Sequence, residues 1–316
     1  MISVIICSIN QLFLSRIKIN IAETIGVVHE IIVIENKTNK GICEVYNLGG
    51  EKAIFPYLCF VHEDVEFYTD NWGTNILNHF NEDEQIGLIG IAGGDTKGLV
   101  PSGWFTSFKS KEMNLLQYSI NEKKEAKHIY ISANEGYKSR KEVVTIDGVF
   151  LCTRKEIFNH LKFDGTNLTG FHGYDMDYSL NILRMFKVVV IFDVLILHFS
   201  NGKLNNDWLK SSRVVANKWK KVLPVSVYNL SPAEFNRFHW QSLQEYLANL
   251  FRLNYGYAAI FYEYLYYSFT RYFKMRSFLS MGKYVVTTMY YKIRENNSSG
   301  KLMEAASEEI KYQHSR

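Results

Sequence analysis

The sequence predicts an α/β fold, a mostly parallel sheet flanked by helices, with an aromatic-rich helical extension at the C-terminal end. Three observations predict it. Residues 2–6 and 29–34 are short apolar, β-branched runs, and Leu14, Ile17, Ile21 and Ile25 recur at helical spacing between them. Strand, helix and strand at that spacing form a βαβ unit, and hence a parallel pair. Residues 57–61 then form a continuous apolar run, as a strand buried on both faces requires, which stops abruptly at His62, Glu63 and Asp64. Lastly, residues 251–273 hold eleven Phe and Tyr in twenty-three positions, a density unlike the rest of the chain.

Taken in order, the first strand ends in Cys7, Ser8, Ile9 and Asn10, and the second in Glu35 and Asn36. No Gly-x-Gly-x-x-Gly follows the first strand, which argues against a dinucleotide-binding Rossmann domain. Gly41 and the run Tyr46-Asn47-Leu48-Gly49-Gly50 read as a short helix returning to the third strand. An amphipathic helix carrying Trp72, Ile76, Leu77 and Phe80 follows, with its cap expected at Thr69 or Asp70. Residues 87–91 form a further strand, leading to Gly93-Gly94-Asp95 and a loop with Pro101, Gly103 and Trp104.

Residues 109–141 are polar, lysine-rich and weakly periodic, and are expected to form a surface excursion or flap. Residues 143–152 read as a bent strand or strand pair broken at Asp147-Gly148. Two glycines surround Phe171 and His172, and Tyr174-Asp175-Met176-Asp177 opens a helix. Residues 188–197 read as one strand ending in His198; a helix capped by Asn206 or Asp207 then runs to Val222, and Pro224 stops it.

Size and composition bound the answer. At 316 residues, 47% apolar and 22% charged, the chain can bury one large core with an appendage. The four cysteines (Cys7, Cys43, Cys59, Cys152) show no metal spacing, and three lie in apolar strand-like contexts, as reduced core thiols do. The N-terminal residues read directly as a strand, with no basic leader or cleavage site, and no window is long and apolar enough to span a membrane. The expectation is a cytoplasmic protein, or one peripheral on the inner face of the membrane. After residue 225 there are eleven Lys/Arg against seven Asp/Glu, whereas the first 225 residues are balanced. A nucleic-acid footprint is absent; a locally basic tail is present.

The abrupt end of the third strand carries chemistry. An unpaired buried charge is costly, so three ionisable side chains released together call for a reason. Ligands of open α/β sheets bind beyond the carboxyl ends of strands, and carboxylate with imidazole there suits a hard divalent cation that clamps phosphates. A solvated loop is the plain alternative.

The ordered set SVIICSIN, EIIVIEN, YNLGG, FVHEDVEF, the IDG strand, FHGYDMDYSL, LILHFSNG and NKWKK resembles the metal-dependent inverting glycosyltransferases of family two. These have the GT-A fold, and the similarity is greatest to a bacterial branch with H-x-D in place of D-x-D. The resemblance covers residues 1–225, the expected catalytic domain, and implies sugar transfer from a nucleotide-sugar to a glycan or lipid-linked glycan in polysaccharide biosynthesis. It implies Mn²⁺ or Mg²⁺ on Asp64 and His198, with His62 either a further ligand or a diphosphate contact. Donor recognition is implied at Ser8, Ile9, Glu35, Asn36, Asn47, His62 and Glu63. Asp175 is the implied general base, with a helix cap as the alternative, and the helix dipole is expected to keep it ionised at neutral pH. Trp104 and Tyr174 are the expected acceptor contacts, although Trp104 could equally be a buried structural residue. Tyr174-Asp175 stands where the family has Glu-Asp. Asp177 is expected to be structural and Trp219 to lie in the core.

Two other functions compete with this one: a sugar nucleotidyltransferase, which lacks its glycine-rich phosphate loop here, and a non-catalytic nucleotide- or glycan-binding module. Residues 226–316 are expected to form a helical extension. Its aromatic and basic content suits an anionic membrane surface, and equally a helix packed on the catalytic domain or on a second copy. Residues 296–316 are expected to fray.

Overall fold

The computed structural model describes residues 1–37, 40–105, 111–118, 126–131, 139–200 and 204–313. The chain opens with β1 (Ile2–Ser8), α1 (Gln11–Thr24), β2 (His29–Glu35), α2 (Ile42–Lys52) and β3 (Tyr57–His62). It continues with β4 (Val65–Phe67), α3 (Trp72–Glu82), β5 (Ile86–Gly90), β6 (Ala92–Gly94), β7 (Thr96–Lys97), β8 (Lys111–Tyr118) and β9 (Ala126–Ile131). Next come β10 (Arg140–Val143), β11 (Thr145–Ile146), β12 (Phe150–Arg154), α4 (Lys155–His160), α5 (Tyr174–Ile182), β13 (Lys187–Ile191) and β14 (Ile196–His198). The last elements are α6 (Asn206–Trp219), β15 (Val225–Ser226), α7 (Pro232–Arg252), α8 (Tyr257–Ser268) and α9 (Met275–Gln313).

A seven-stranded sheet in the order β10-β13-β5-β12-β3-β1-β2 forms the centre. β2, β1, β3, β5 and β13 share one direction, while β12 and β10 run against it. The expected α/β architecture, mostly parallel and flanked by helices, is the one observed. Side chains alternate across the sheet. Ile2, Val4 and Ile6 of β1 and Cys59 and Val61 of β3 pack with Leu14, Ile17 and Ile21 of α1 and with Trp72 of α3. Ile5, Leu58 and Phe60 face the other way, onto Tyr46 of α2 and Tyr178 of α5. Both faces are covered, which is why these strands read as unbroken apolar runs.

A second sheet, β11-β6-β8-β14-β4, adjoins the first, with β9 paired to β8. It accounts for two departures from expectation. Residues 188–197 form two strands, β13 in the first sheet and β14 in the second. The segment 109–141, expected as a polar flap, includes β8, whose Met113, Leu115 and Leu116 are core residues; residues 109–110, 119–125 and 132–138 of that reading lie outside the described residues. Two caps also move: Asn71, in the left-handed region (φ 58), precedes α3, and Asn205 caps α6 through Trp208 N–H. All four cysteines are free, and Cys59 and Cys152 face each other across β3 and β12.

The chain divides into two compact units, Met1–Ser242 and Leu243–Arg316. β15 pairs with β7, which carries the first unit beyond Val225. In the second unit the Tyr264 hydroxyl donates to the Phe278 carbonyl at 2.9 Å, tying α8 to the start of α9. Helix α9 continues to Gln313, where fraying was expected. No helix among the described residues is long and apolar enough to cross a membrane.

Candidate active site

The site lies where β3 ends. His62 is the last residue of β3, and Asp64 sits in the turn before β4. β4 pairs antiparallel with β14 in a register that sets His198 opposite Val65, and Phe199 N–H donates to the Asp64 carbonyl at 2.8 Å. This pairing brings His198 to Asp64: His198 Nε2 is 3.5 Å and His62 Nδ1 3.8 Å from Asp64 Oδ1. One ligand atom from each of the three residues falls within 4.8 Å of the others. Burial works against the charge of Asp64, but the hydrogen bond and charge of His198, with His62 beyond, outweigh it and hold the carboxyl below its ordinary range. Burial, followed by the charge of His198, depresses His62. An imidazole driven toward its neutral form at His62 and a carboxyl held toward its ionised form at Asp64 are states in which each offers a lone pair to a cation. The donor set therefore fits a divalent ion.

Asp175 enters from α5. Gly173 caps that helix in the left-handed region (φ 82), a conformation that glycine adopts without strain. The turn it makes brings Asp175 to the Asp147-Gly148 turn: Asp175 Oδ2 accepts from Gly148 N–H at 3.2 Å, and Oδ1 from Met176 N–H at 2.9 Å. Burial, and then the Asp147 carboxylate, raise Asp175 to about 7 against these backbone donors. The helix start was expected to keep it ionised at neutral pH. Burial beside a second carboxylate overrides the dipole, so Asp175 is poised instead between its two states.

The expected donor-side residues divide by what they touch. Glu63 accepts from Ser8 Oγ at 2.7 Å and from the Ile9 and Asn10 N–H groups at 3.1 Å, fastening the β1–α1 loop to the β3 turn. Asn36 is buried and bonds both the N–H and the carbonyl of Lys40. Asn47 holds Phe163 in the same bidentate way. Ile9 is exposed, and Glu35 pairs with Lys37 at 2.6 Å. Ile9 and Glu35 thus stand open at adjacent strand ends, while Ser8, Asn36, Asn47 and Glu63 shape the loops around them.

Of the two expected acceptor contacts, Trp104 is half-buried, edge-on to Phe105 at 4.6 Å, and its carbonyl accepts from Thr145 Oγ1 at 2.5 Å. Tyr174, expected beside the acceptor, instead buries its ring; its hydroxyl lies 2.8 Å from His62 Nε2 and donates to the Gly148 carbonyl at 3.0 Å. Asp177 is structural, as expected: it accepts from Lys218 Nζ and Trp219 Nε1, each at 2.8 Å.

Two residues of the site went unread in the sequence. In sequence Asp147 reads only as part of a strand break. Lys97 is fully buried, its Nζ bonded to Ser102 Oγ at 2.5 Å and to the Gly103 carbonyl at 2.7 Å, and burial lowers it to about 7 although Asp175 opposes this. An isolated lysine in a two-residue strand gives no signal in sequence.

An open α/β sheet with ionisable groups gathered beyond its strand ends is the layout of an α/β enzyme. The chain belongs to the glycosyltransferase-like family, whose model matches residues 3–220. Among solved structures it is similar to GalNAc-T7 with UDP, GalNAc and Mn²⁺, at 15% identity over 68% of this chain and 47% of that one (TM-score 0.46). The chain thus spans about half the length of that relative. It is also similar to S. aureus TarS 1–349, at 12% identity over 81% and 75% of the two chains (TM-score 0.47). The third, mannosyltransferase PcManGT from Pyrobaculum calidifontis with GDP-Man and Mn²⁺, shares 10% identity over 92% and 86% (TM-score 0.43). No curated protein matches the chain by sequence.

Proposed function

We propose that the protein transfers a sugar, with inversion, from a nucleoside-diphosphate donor to a glycan or lipid-linked glycan. The observation that carries this reading is the pairing of a two-imidazole, one-carboxylate cluster within 4.8 Å with a separate carboxylate poised at about 7. In this reading His62, Asp64 and His198 hold a divalent cation, whose chemistry is to neutralise the diphosphate's charge as it departs. The donor's base and ribose lie along the exposed strand ends at Ile9 and Glu35, inside the loop that Glu63 and Ser8 hold.

Asp175 serves as the base. In the displacement the acceptor oxygen bonds to the anomeric carbon as the carbon–oxygen bond to the diphosphate breaks, and the electron pair leaves with the nucleoside diphosphate. Asp175 takes the acceptor's hydroxyl proton. The Gly148 and Met176 N–H groups aim the carboxylate, leaving a lone pair for that proton. Trp104 offers a flat apolar surface for a sugar face.

The second unit supports a membrane contact. On α8 the exposed Tyr262 and Tyr266 stack at 6.1 Å, and beyond the helix the exposed Phe269 and Phe273 stack at 5.3 Å. The same stretch of sequence carries Arg271, Lys274, Arg276 and Lys283, with Glu263 the sole acidic residue between Tyr257 and Arg294. Aromatic rings among cations complement an anionic bilayer, where lipid-linked acceptors reside.

The transfer reading is tested by incubating the protein with a panel of nucleotide-sugars, with and without Mn²⁺. Metal-dependent release of nucleoside diphosphate from at least one donor is expected. Donor binding without turnover on any of them would instead support a binding module.

A further inference from the structure

Tyr174 has an unassigned task. Its ring is buried, and its hydroxyl lies 3.0 Å from the Gly148 carbonyl oxygen and 2.8 Å from His62 Nε2; the Tyr46 hydroxyl, which has its own proton to donate, also faces it. A hydroxyl carries a single proton, and a carbonyl oxygen can only accept. Two oxygens at 3.0 Å with no proton between them would repel, so the Tyr174 proton lies toward Gly148. The contact with His62 is then made by a proton on the imidazole, and Nε2–H donates to the phenol oxygen. A neutral imidazole protonated at Nε2 is bare at Nδ1, the atom that faces Asp64 Oδ1 at 3.8 Å.

We propose that Tyr174 is a positioning residue that fixes the tautomer of His62, directing its Nδ1 lone pair at the point shared with Asp64 and His198, where a divalent cation binds. The inference rests on the reading of those three residues as cation ligands. The second support for it is steric. Gly148 is the acceptor that orients the phenol, and a Cβ there would meet the Tyr174 oxygen at 2.0 Å, so glycine is the residue that leaves room for this arrangement. Gly148 also donates its N–H to Asp175 Oδ2. One residue, through its two flanking peptide groups, therefore orients the phenol beside the imidazole with its carbonyl and the carboxylate of the proposed base with its N–H. Tyr174 and Asp175 are successive residues of one helix start, so donor-side and acceptor-side chemistry share a single rigid joint. An outer partner that selects the ligating nitrogen of a histidine is a recurring device in metal sites, and its loss typically costs about 10–100-fold in metal affinity.

Two measurements on the full chain test this. Long-range ¹H–¹⁵N correlation of the His62 ring, made without metal, reports the tautomer directly. Nε2–H is expected in the native protein, and a mixture or the reverse in Tyr174→Phe. Observation of Nδ1–H in the native protein overturns the proposal whether or not any variant folds. Calorimetry with Mn²⁺ alone should show about 10–100-fold weaker binding for Tyr174→Phe, a comparable loss for His62→Ala, and little further loss in the double variant. Native-like Mn²⁺ binding by Tyr174→Phe, with binding lost in His62→Ala, removes Tyr174 from the site and leaves the cation ligands standing. Unchanged Mn²⁺ binding in His62→Ala and Asp64→Ala alike removes the cation reading itself.

Discussion

Gly148 donates its backbone N–H to Asp175 Oδ2 over 3.2 Å, while Asp147, one residue earlier, pushes the same carboxyl upward. The turn thus aims the carboxylate and weakens its acidity together. A base suited to neutral pH needs both, since it must hold the substrate proton in transit and be ionised beforehand.

Activity should accordingly rise with pH through about 7 as Asp175 ionises. Asp175→Asn is expected to lower turnover by about 10²–10⁴-fold while leaving Mn²⁺-dependent nucleoside-diphosphate binding near native. Steady-state kinetics and calorimetry check the two halves, and near-native turnover would make Asp175 structural.

The same shift has a sign for stability. A carboxyl whose folded pKa is raised favours the protonated fold, so its contribution is present below the ordinary carboxylate range and is lost as pH rises to about 7. Above that pH, Asp175→Asn removes a buried charge and should melt at a higher temperature than the native protein. Thermal scans at pH 5 and pH 8 should show the gap widening toward the higher value.

Asp64 is the cluster's carboxylate, 3.5 Å from His198 Nε2 and 3.8 Å from His62 Nδ1. Asp64→Ala should therefore abolish Mn²⁺-dependent binding of a nucleoside diphosphate, as read by calorimetry, with an unchanged circular dichroism spectrum. Unaltered affinity would remove Asp64 from the ligand set. Two imidazoles in three ligands also favour Mn²⁺ over Mg²⁺, which prefers oxygen ligands and keeps its water, so Mn²⁺ should support donor turnover at lower concentration than Mg²⁺ does.

Asp177 is buried, and both of its oxygens are taken, by Lys218 and Trp219. Asp177→Ala leaves the indole N–H unsatisfied between α5 and α6, and should cost about 2 kcal/mol of stability. A urea unfolding midpoint within error of native would show that the pair is replaced by water.

If the exposed rings of the second unit meet a bilayer, the full chain should float with vesicles that contain anionic lipid and release in high salt. Tyr262→Ser with Phe269→Ser should weaken flotation. Failure to bind at low salt, with a dimer seen by light scattering, would assign the surface to a second copy.

What could be read in sequence depended on distance along the chain. The β1–α1–β2 unit and the halt of β3 at His62 were plain because burial on both faces writes itself as an unbroken apolar run. His198 could be placed only loosely, since the pairing that brings it to Asp64 involves strands of three residues, too short to leave a pattern. Glu63 looked like a ligand contact because its backbone donors lie 53 and 54 residues away, at Asn10 and Ile9. Residues 109–141 looked polar because the charge of the buried Glu112 is met by Lys141 from another strand. The elevated carboxyl of Asp175 was invisible for the same reason: its neighbour Asp147 arrives through a turn ahead of the reversed strand.

That reversed strand also governs the order in which the molecule can be assembled. β12 lies between β3 and β5 although it follows both in the chain, and His62 meets Tyr174 across 112 residues. A nascent chain ending before β12 has strands with an unfilled gap and no Asp147-Gly148 turn; one ending before β14 lacks His198. Contacts of such long separation form late and slowly. During synthesis the cluster at the end of β3 therefore waits for most of the first unit to emerge, and fragments of the N-terminal half should bind neither cation nor donor.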